Sequence, residues 1–155
     1  MNRSTLTDLH LRSSAFTGGE ALPPRFARDT ENISPPLAWS DVPRAAVELV
    51  LWCEDPDPPS GPFLHWLVTG ISPDTKAIAE GQVPDAGQQW LNSFGETGWG
   101  GPQPPRGDRP HHYVFHLCAL DRPIHLPPQP AVADINKAVR DTRLAHGQLI
   151  GTYSR

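Results

Sequence analysis

The stretch "AVELVLWCEDPDPPSGPFLHWLVTGI", Ala46–Ile71, holds two apolar runs joined by an acidic, proline-stiffened turn. The first run, Ala46–Glu54, is rich in β-formers and apolar nearly throughout. That pattern predicts a central strand covered on both faces. The second, Phe63–Ile71, predicts another. Between them stand Asp55 and Asp57 among Pro56, Pro58, Pro59 and Pro62. Each proline pushes the residue before it toward extended geometry, so the connection is a turn and not a helix.

Working outward, "HHYVFHLCALD" (His111–Asp121) predicts a third strong strand and "QLIGTYSR" a closing one. Residues 1–20 read as an edge segment. "LPPRFARDTENISPPLAWSDVP" is turn-rich and fits no helix, and "KAIAEG" is a short piece of open type. "PQPAVADINKAVRDTRLAHG" carries the one good helical stripe, at Val132, Ile135, Val139 and Leu144, with Pro130 ahead and Gly147 beyond as end signals. Residues 81–110 hold seven glycines and five prolines. A structureless stretch that long in a compact domain is usually functional. Strands in succession without alternating helices predict a mainly β domain, residues 1–155, dominated by antiparallel pairing.

Composition narrows the function. The chain has 155 residues and a net charge of −4, with 19 prolines and 13 glycines. An acidic balance without a basic face argues against nucleic acid as a partner. No window reaches membrane-spanning length, and "MNRSTLTDLHLRSSAF" lacks the apolar core of a signal peptide. Cys53 and Cys118 lie inside apolar runs, as buried thiols in a reducing compartment would. A cytoplasmic protein without membrane insertion is the expectation.

Few residues carry chemistry. Asp55 and Asp57 are either a polar turn or carboxylates held in a fixed pose by prolines. His65, inside "FLHWLV", is either a core histidine with one hydrogen bond or a pocket imidazole. Strand alternation groups Phe63, His65 and Leu67 on one face, against Leu64, Trp66 and Val68. It likewise groups His111, Tyr113, Phe115 and Leu117 against His112, Val114, His116 and Cys118. Metal binding by "HHYVFH" fails on reach, because His112 and His116 stand ~13 Å apart along a strand and zinc needs nitrogens ~2 Å away. The glycines of "GETGWGGPQPP" precede neither Lys-Ser/Thr nor a helix, so no nucleotide cofactor is implied. They suit a backbone wall that a ligand can approach closely.

Four stretches together resemble the phosphatidylethanolamine-binding protein family. They are "NISPPLAWSDVP", "DPDPPSGPFLHWLV", "GWGGPQPPRGDRPHHYVFHLCALD" and "AHGQLIGTY", in that order along the chain. Length and the "HW" pair resemble the bacterial, Raf-kinase-inhibitor-like branch. The resemblance implies a large antiparallel sheet packed on a smaller one, few helices, and a small anion pocket at one end of the large sheet. It implies a pocket built from Asp55, His65, Gly101, Pro102, His111 and Tyr113, with Asp57 beside it fixing the turn and Phe63 at the mouth. It also implies cis peptides in the acidic turn, with Pro56 and Pro59 the candidates. His112 stands where relatives usually carry arginine.

Three functional classes follow. The first is a binding protein for small anions, phosphoryl or carboxylate, including phospholipid headgroups. The second is a protein-interaction module that inhibits a kinase or protease. The third is an isomerase, cyclase or lyase that would use Asp55, His65 and His111 for acid–base chemistry. The first is the leading expectation, without metal or cofactor. The N-terminal segment and the late helix are candidate surfaces for a homodimer.

Overall fold

In a computed structural model, which describes residues 6–155, the chain forms eight strands and one α-helix. In chain order these are β1 (Thr7–Asp8), β2 (Leu37–Ala38), β3 (Glu48–Asp55), β4 (Phe63–Ile71), β5 (Ala77–Ile78), β6 (Gln88–Gln89), β7 (His111–Leu120), α1 (Val132–Arg140) and β8 (Arg143–Tyr153). A single 3-10 turn, Pro24–Phe26, interrupts the proline-rich stretch read as irregular.

The six-stranded sheet runs β1-β8-β7-β3-β4-β6, and β2 pairs with β5 in a separate two-stranded sheet. The three apolar runs of the sequence are its centre. β3 lies between β4 and β7 and is buried from Leu49 to Asp55. The large sheet is mixed rather than wholly antiparallel. Its edge strand β1 pairs parallel with β8, through Thr7 with Ala145 and Asp8 with His146. Residues 1–5 of the expected edge segment lie outside the described residues.

Alternation along β3 divides the core in two. Leu49, Leu51 and Cys53 join Tyr113, Phe115 and Leu117 under a layer made by Leu9, Leu11, Phe16, Leu22, Phe26, Leu37, Trp39 and Ile78. Val50 and Trp52 join Cys118 and Leu120 against Val132, Ile135 and Val139 of α1. Cys53 and Cys118 are thus free thiols buried in different core layers. Burial pushes the Cys118 thiol up to about 12, so it stays protonated.

Three expectations change. First, α1 ends at Arg140, so Leu144 and Gly147 belong to β8. The Thr142 hydroxyl bonds the carbonyls of Ala138 and Val139, and Asp121 N–H then takes Thr142 O at 2.8 Å, which starts β8 alongside β7. Gly147 serves packing and not a helix stop. A Cβ there would lie 3.0 Å from Leu11 Cβ and 3.2 Å from Leu9 Cβ, so glycine lets the N-terminal layer close on the sheet.

Second, the alternation of β4 breaks after His65. Cys53 pairs with Trp66 but Glu54 pairs with Leu64, so His65 is an extra residue in a β-bulge. A bulge shifts the parity of everything beyond it. Phe63 and His65 keep a common face, but Trp66 and Val68 join that face's core, and Leu67 goes to the helix side. Third, residues 81–110 are not free loop. Trp90 N–H bonds Leu67 O, Ser93 N–H bonds Leu64 O and Gly100 N–H bonds His65 O, so the segment is stitched along β4.

Candidate functional site

The acidic turn holds its shape through its own carboxylate. Asp55 Oδ1 accepts from Asp57 N–H at 2.9 Å, and Gly61 N–H closes on Pro58 O at 3.0 Å. Among the described residues no peptide bond is cis, so Pro56 and Pro59 are both trans, contrary to expectation. These hydrogen bonds fold the turn in the trans form. The Asp57 carboxylate faces away from Asp55. Its Oδ2 accepts from His112 N–H at 2.8 Å and lies 3.1 Å from His112 Nδ1, which pins the turn to the start of β7. Those bonds, with the charges of His112 and His111, outweigh partial burial and hold the Asp57 carboxyl below its ordinary range.

β3 ends where β4 and β7 begin, and the inward side chains of the three strands meet there. A cavity of about 180 Å³ is lined by Asp55, Phe63, His65, His111 and Tyr113, with Phe94, Asp108 and the prolines 58, 59, 104 and 105. Of the expected residues, five line it. Asp57 sits beside it. Gly101 and Pro102 are not among its lining residues, although the Gly101 backbone reaches His65. Gly101 N–H is spent on Asn32 Oδ1 at 2.8 Å, and Pro102 O accepts from Arg28 N–H at 3.0 Å.

Two histidines line this cavity, and their surroundings shift them in opposite directions. His65 is 4% exposed, and its Nδ1 lies 2.6 Å from Gly100 O. A carbonyl only accepts, so the proton is on Nδ1 and Nε2 presents a lone pair. Burial lowers the His65 pKa to about 4, overriding the Gly100 bond and the Asp55 charge that would raise it. His111 Nδ1 lies 2.6 Å from Asp55 Oδ2 and its Nε2 lies 3.1 Å from Asp108 Oδ2. Burial alone would lower its pKa, but the hydrogen bonds to Asp55 and Asp108 win and raise it. An imidazolium between two carboxylates donates from both nitrogens.

The rest of the lining is aromatic. The Phe63 and His65 rings are 4.8 Å apart, Phe63 and Phe94 4.7 Å edge-on, and His65 and Tyr113 5.2 Å edge-on. The Tyr113 pKa is raised by burial and by the nearby Asp55 charge, so the phenol keeps its proton as a donor. Chemically, the cavity offers one cationic donor, one phenol donor, one imidazole acceptor and two carboxylates in an apolar frame.

Phe94 and Asp108 were missed at the sequence level. Phe94 is placed by the buried Asn92, whose Oδ1 accepts from Phe94 N–H at 2.9 Å and Glu96 N–H at 3.2 Å, while its Nδ2 donates to Gly98 O. The signal for Asp108 was its position three residues before His111 in "GDRPHH". A second titratable cluster joins β3, β7 and β8. His116 Nε2 is 3.1 Å from Glu54 Oε2 and its Nδ1 is 3.1 Å from His146 Nε2, with the Trp52 ring stacked on His116 at 4.6 Å. There burial would raise the Glu54 carboxyl, but the His116 bond holds it down. Burial, then the His116 charge, lowers His146 to about 4.

Residues 12–154 match the family model described as phosphatidylethanolamine-binding protein. The chain belongs to that family. A phosphatidylethanolamine-binding protein homologue from Chlamydia trachomatis superposes with a TM-score of 0.84 at 38% identity, covering 96% of this chain and 99% of that one. Escherichia coli YbcL, described as a member of the mammalian PEBP family, gives 0.87 at 26% identity with the same coverage. The UPF0098 protein of Methanothermobacter thermautotrophicus is 40% identical over 152 residues, 95% of this chain and 99% of its own length. A Mycobacterium tuberculosis protein named as lipoprotein LppC is 38% identical over 145 residues, 94% of this chain and 72% of its own length. The large sheet packed on a small one, with a single helix, is thus the phosphatidylethanolamine-binding protein fold. Among the described residues no helix is long and apolar enough to cross a membrane.

Proposed function

We propose that the chain binds small anions, phosphoryl groups first and carboxylates second, in the cavity at the end of β3, β4 and β7. The observation that carries this is the His111 imidazolium, fixed at 2.6 Å by the buried Asp55 and opening on an aromatic-lined hollow. Charge-assisted hydrogen bonds from a preformed cation are the strong ones, and a buried partner removes the cost of orienting it. His65 adds a restriction. Its Nε2 accepts rather than donates, so a ligand that carries its own proton, such as dihydrogen phosphate or an ammonium-bearing headgroup, suits the cavity better than an anion with no proton to donate.

Calorimetric titration with phosphoethanolamine tests the reading. Binding is expected at pH 6 and is lost as pH rises through the raised pKa of His111, because the neutral imidazole no longer offers two donors. His111→Gln should weaken binding at pH 6 by about tenfold or more, the scale of a lost charge-assisted bond. Equal affinity at pH 6 and pH 9, or an unaffected His111→Gln variant, would refute it.

The opposed states of His65 and His111 also favour a second reading, an acid–base enzyme. A neutral imidazole and an imidazolium in one cavity are the pair that proton transfer needs. A small metabolite consumed in a His65-dependent and His111-dependent way would establish it over simple binding.

A further inference from the structure

The position an incoming anion needs on His111 is already taken. Asp55 fills Nδ1 from below, and Asp108 Oδ2 fills Nε2 from the mouth at 3.1 Å. The two carboxylates are not equivalent. The Asp55 side chain is 4% exposed and its bond is short, while that of Asp108 is 46% exposed and its bond is longer. Asp108 also stands on a turn of its own, with Gly107 at φ +87° and Asp108 N–H bonded to Pro105 O. That turn is anchored through the residues just before the carboxylate. Arg155 Nε holds Pro104 O at 2.7 Å, and Gly107 N–H bonds Arg155 O at 3.2 Å. The carboxylate is therefore kept near His111 while its side chain remains half in water. Asp108 and His111 line this cavity and also a neighbouring hollow with Asp57, Pro59, Arg109, Pro110 and His112, which gives the displaced side chain somewhere to go.

We propose that Asp108 is a built-in competitor, an intramolecular carboxylate that occupies the ligand position on His111 and must swing out before an external anion can bind. This rests on the anion-binding reading above and adds to it a residue that sets the affinity. A tethered group competes at an effective concentration in the millimolar range, so weak ambient anions do not fill the cavity while Asp108 is in place. Competition by displacement also has a thermodynamic signature. It lowers the apparent affinity of every ligand at that position by one common factor, whatever the ligand's charge.

The test is calorimetric titration with inorganic phosphate and, separately, with acetate, at pH 6 and physiological salt. The Nδ1 bond to Asp55 is left in place in every variant. The proteins are the unaltered chain, Asp108→Asn, Asp108→Ala, and Asp85→Asn as a control for lost surface charge. A half-exposed ion pair given up on binding predicts about two- to fivefold tighter binding in both Asp108 variants. Phosphate and acetate should gain by the same factor, and Asp85→Asn should gain nothing. Unchanged or weaker binding in the Asp108 variants, while the unaltered chain still binds phosphate, overturns the competitor and leaves the anion site standing. A gain for phosphate without a gain for acetate also overturns it, since displacing one carboxylate changes every ligand's affinity by the same factor. If no protein in the set binds either anion, the anion site and its competitor fall together.

Discussion

His65 and His111 show how far a local environment separates two identical side chains. His65 is buried against Phe63, Phe94 and Tyr113, and it surrenders its charge. His111 is held between Asp55 and Asp108, whose hydrogen bonds outweigh burial and raise its pKa. The consequence for stability has a definite sign. Unfolded His65 takes up a proton below ~6.5, but folded His65 refuses it until about 4, so the unfolded state binds more protons in that window. Stability therefore falls as pH falls from 6.5 to 4, by up to ~3 kcal/mol from this residue. His146, also lowered to about 4, adds in the same direction. Urea midpoints measured between pH 7 and pH 4 should show the loss, and His65→Gln should flatten it. A slope unchanged in His65→Gln would mean that the imidazole is charged in the native protein.

Strands and turns carry different amounts of information in the sequence. Alternation puts His65 on a face with Phe63, and His111 on a face with Tyr113, because each sits in an apolar strand, while the family resemblance brings those two faces and Asp55 together. Leu67 could not be placed in this way, because the bulge at His65 is closed by a partner thirty-five residues away, through Gly100 N–H to His65 O. Phe94 and Asp108 were illegible for a related reason. Turns held by Asn92 and by Arg155 have no periodicity from which a direction can be read. Gly101 illustrates a residue whose motif was visible while its job was not. It does not line the cavity, although its backbone reaches His65, and an added Cβ would run into Phe26 O. A backbone atom cannot move aside as a side chain can. Gly101→Ala is therefore expected to destabilise the fold by about 2–4 kcal/mol, within the range for overpacking and backbone strain. Thermal unfolding would show it as a clear drop in Tm, and a change of under 1 kcal/mol would contradict the close packing of that segment on Phe26–Arg28.

The molecule as a whole carries net charge −4, which repels anions in general. Any anion site must therefore be built locally, as a fixed cation in a low-dielectric hollow rather than a basic surface. The fold provides this by ending three central strands at one edge and stiffening the connections with proline. The mixed sheet, with its parallel edge strand, leaves this arrangement untouched because β1 lies at the far side, next to β8. The account stands on the charge of His111. Nitrogen-detected NMR of the histidine rings, titrated from pH 4 to pH 10 with and without inorganic phosphate, observes it directly. The account predicts that His111 titrates above 6.5, that phosphate moves its midpoint higher still, and that His65 stays neutral, with its proton on Nδ1, down to about 4. A His111 that titrates at or below 6.5 and does not respond to phosphate would contradict it.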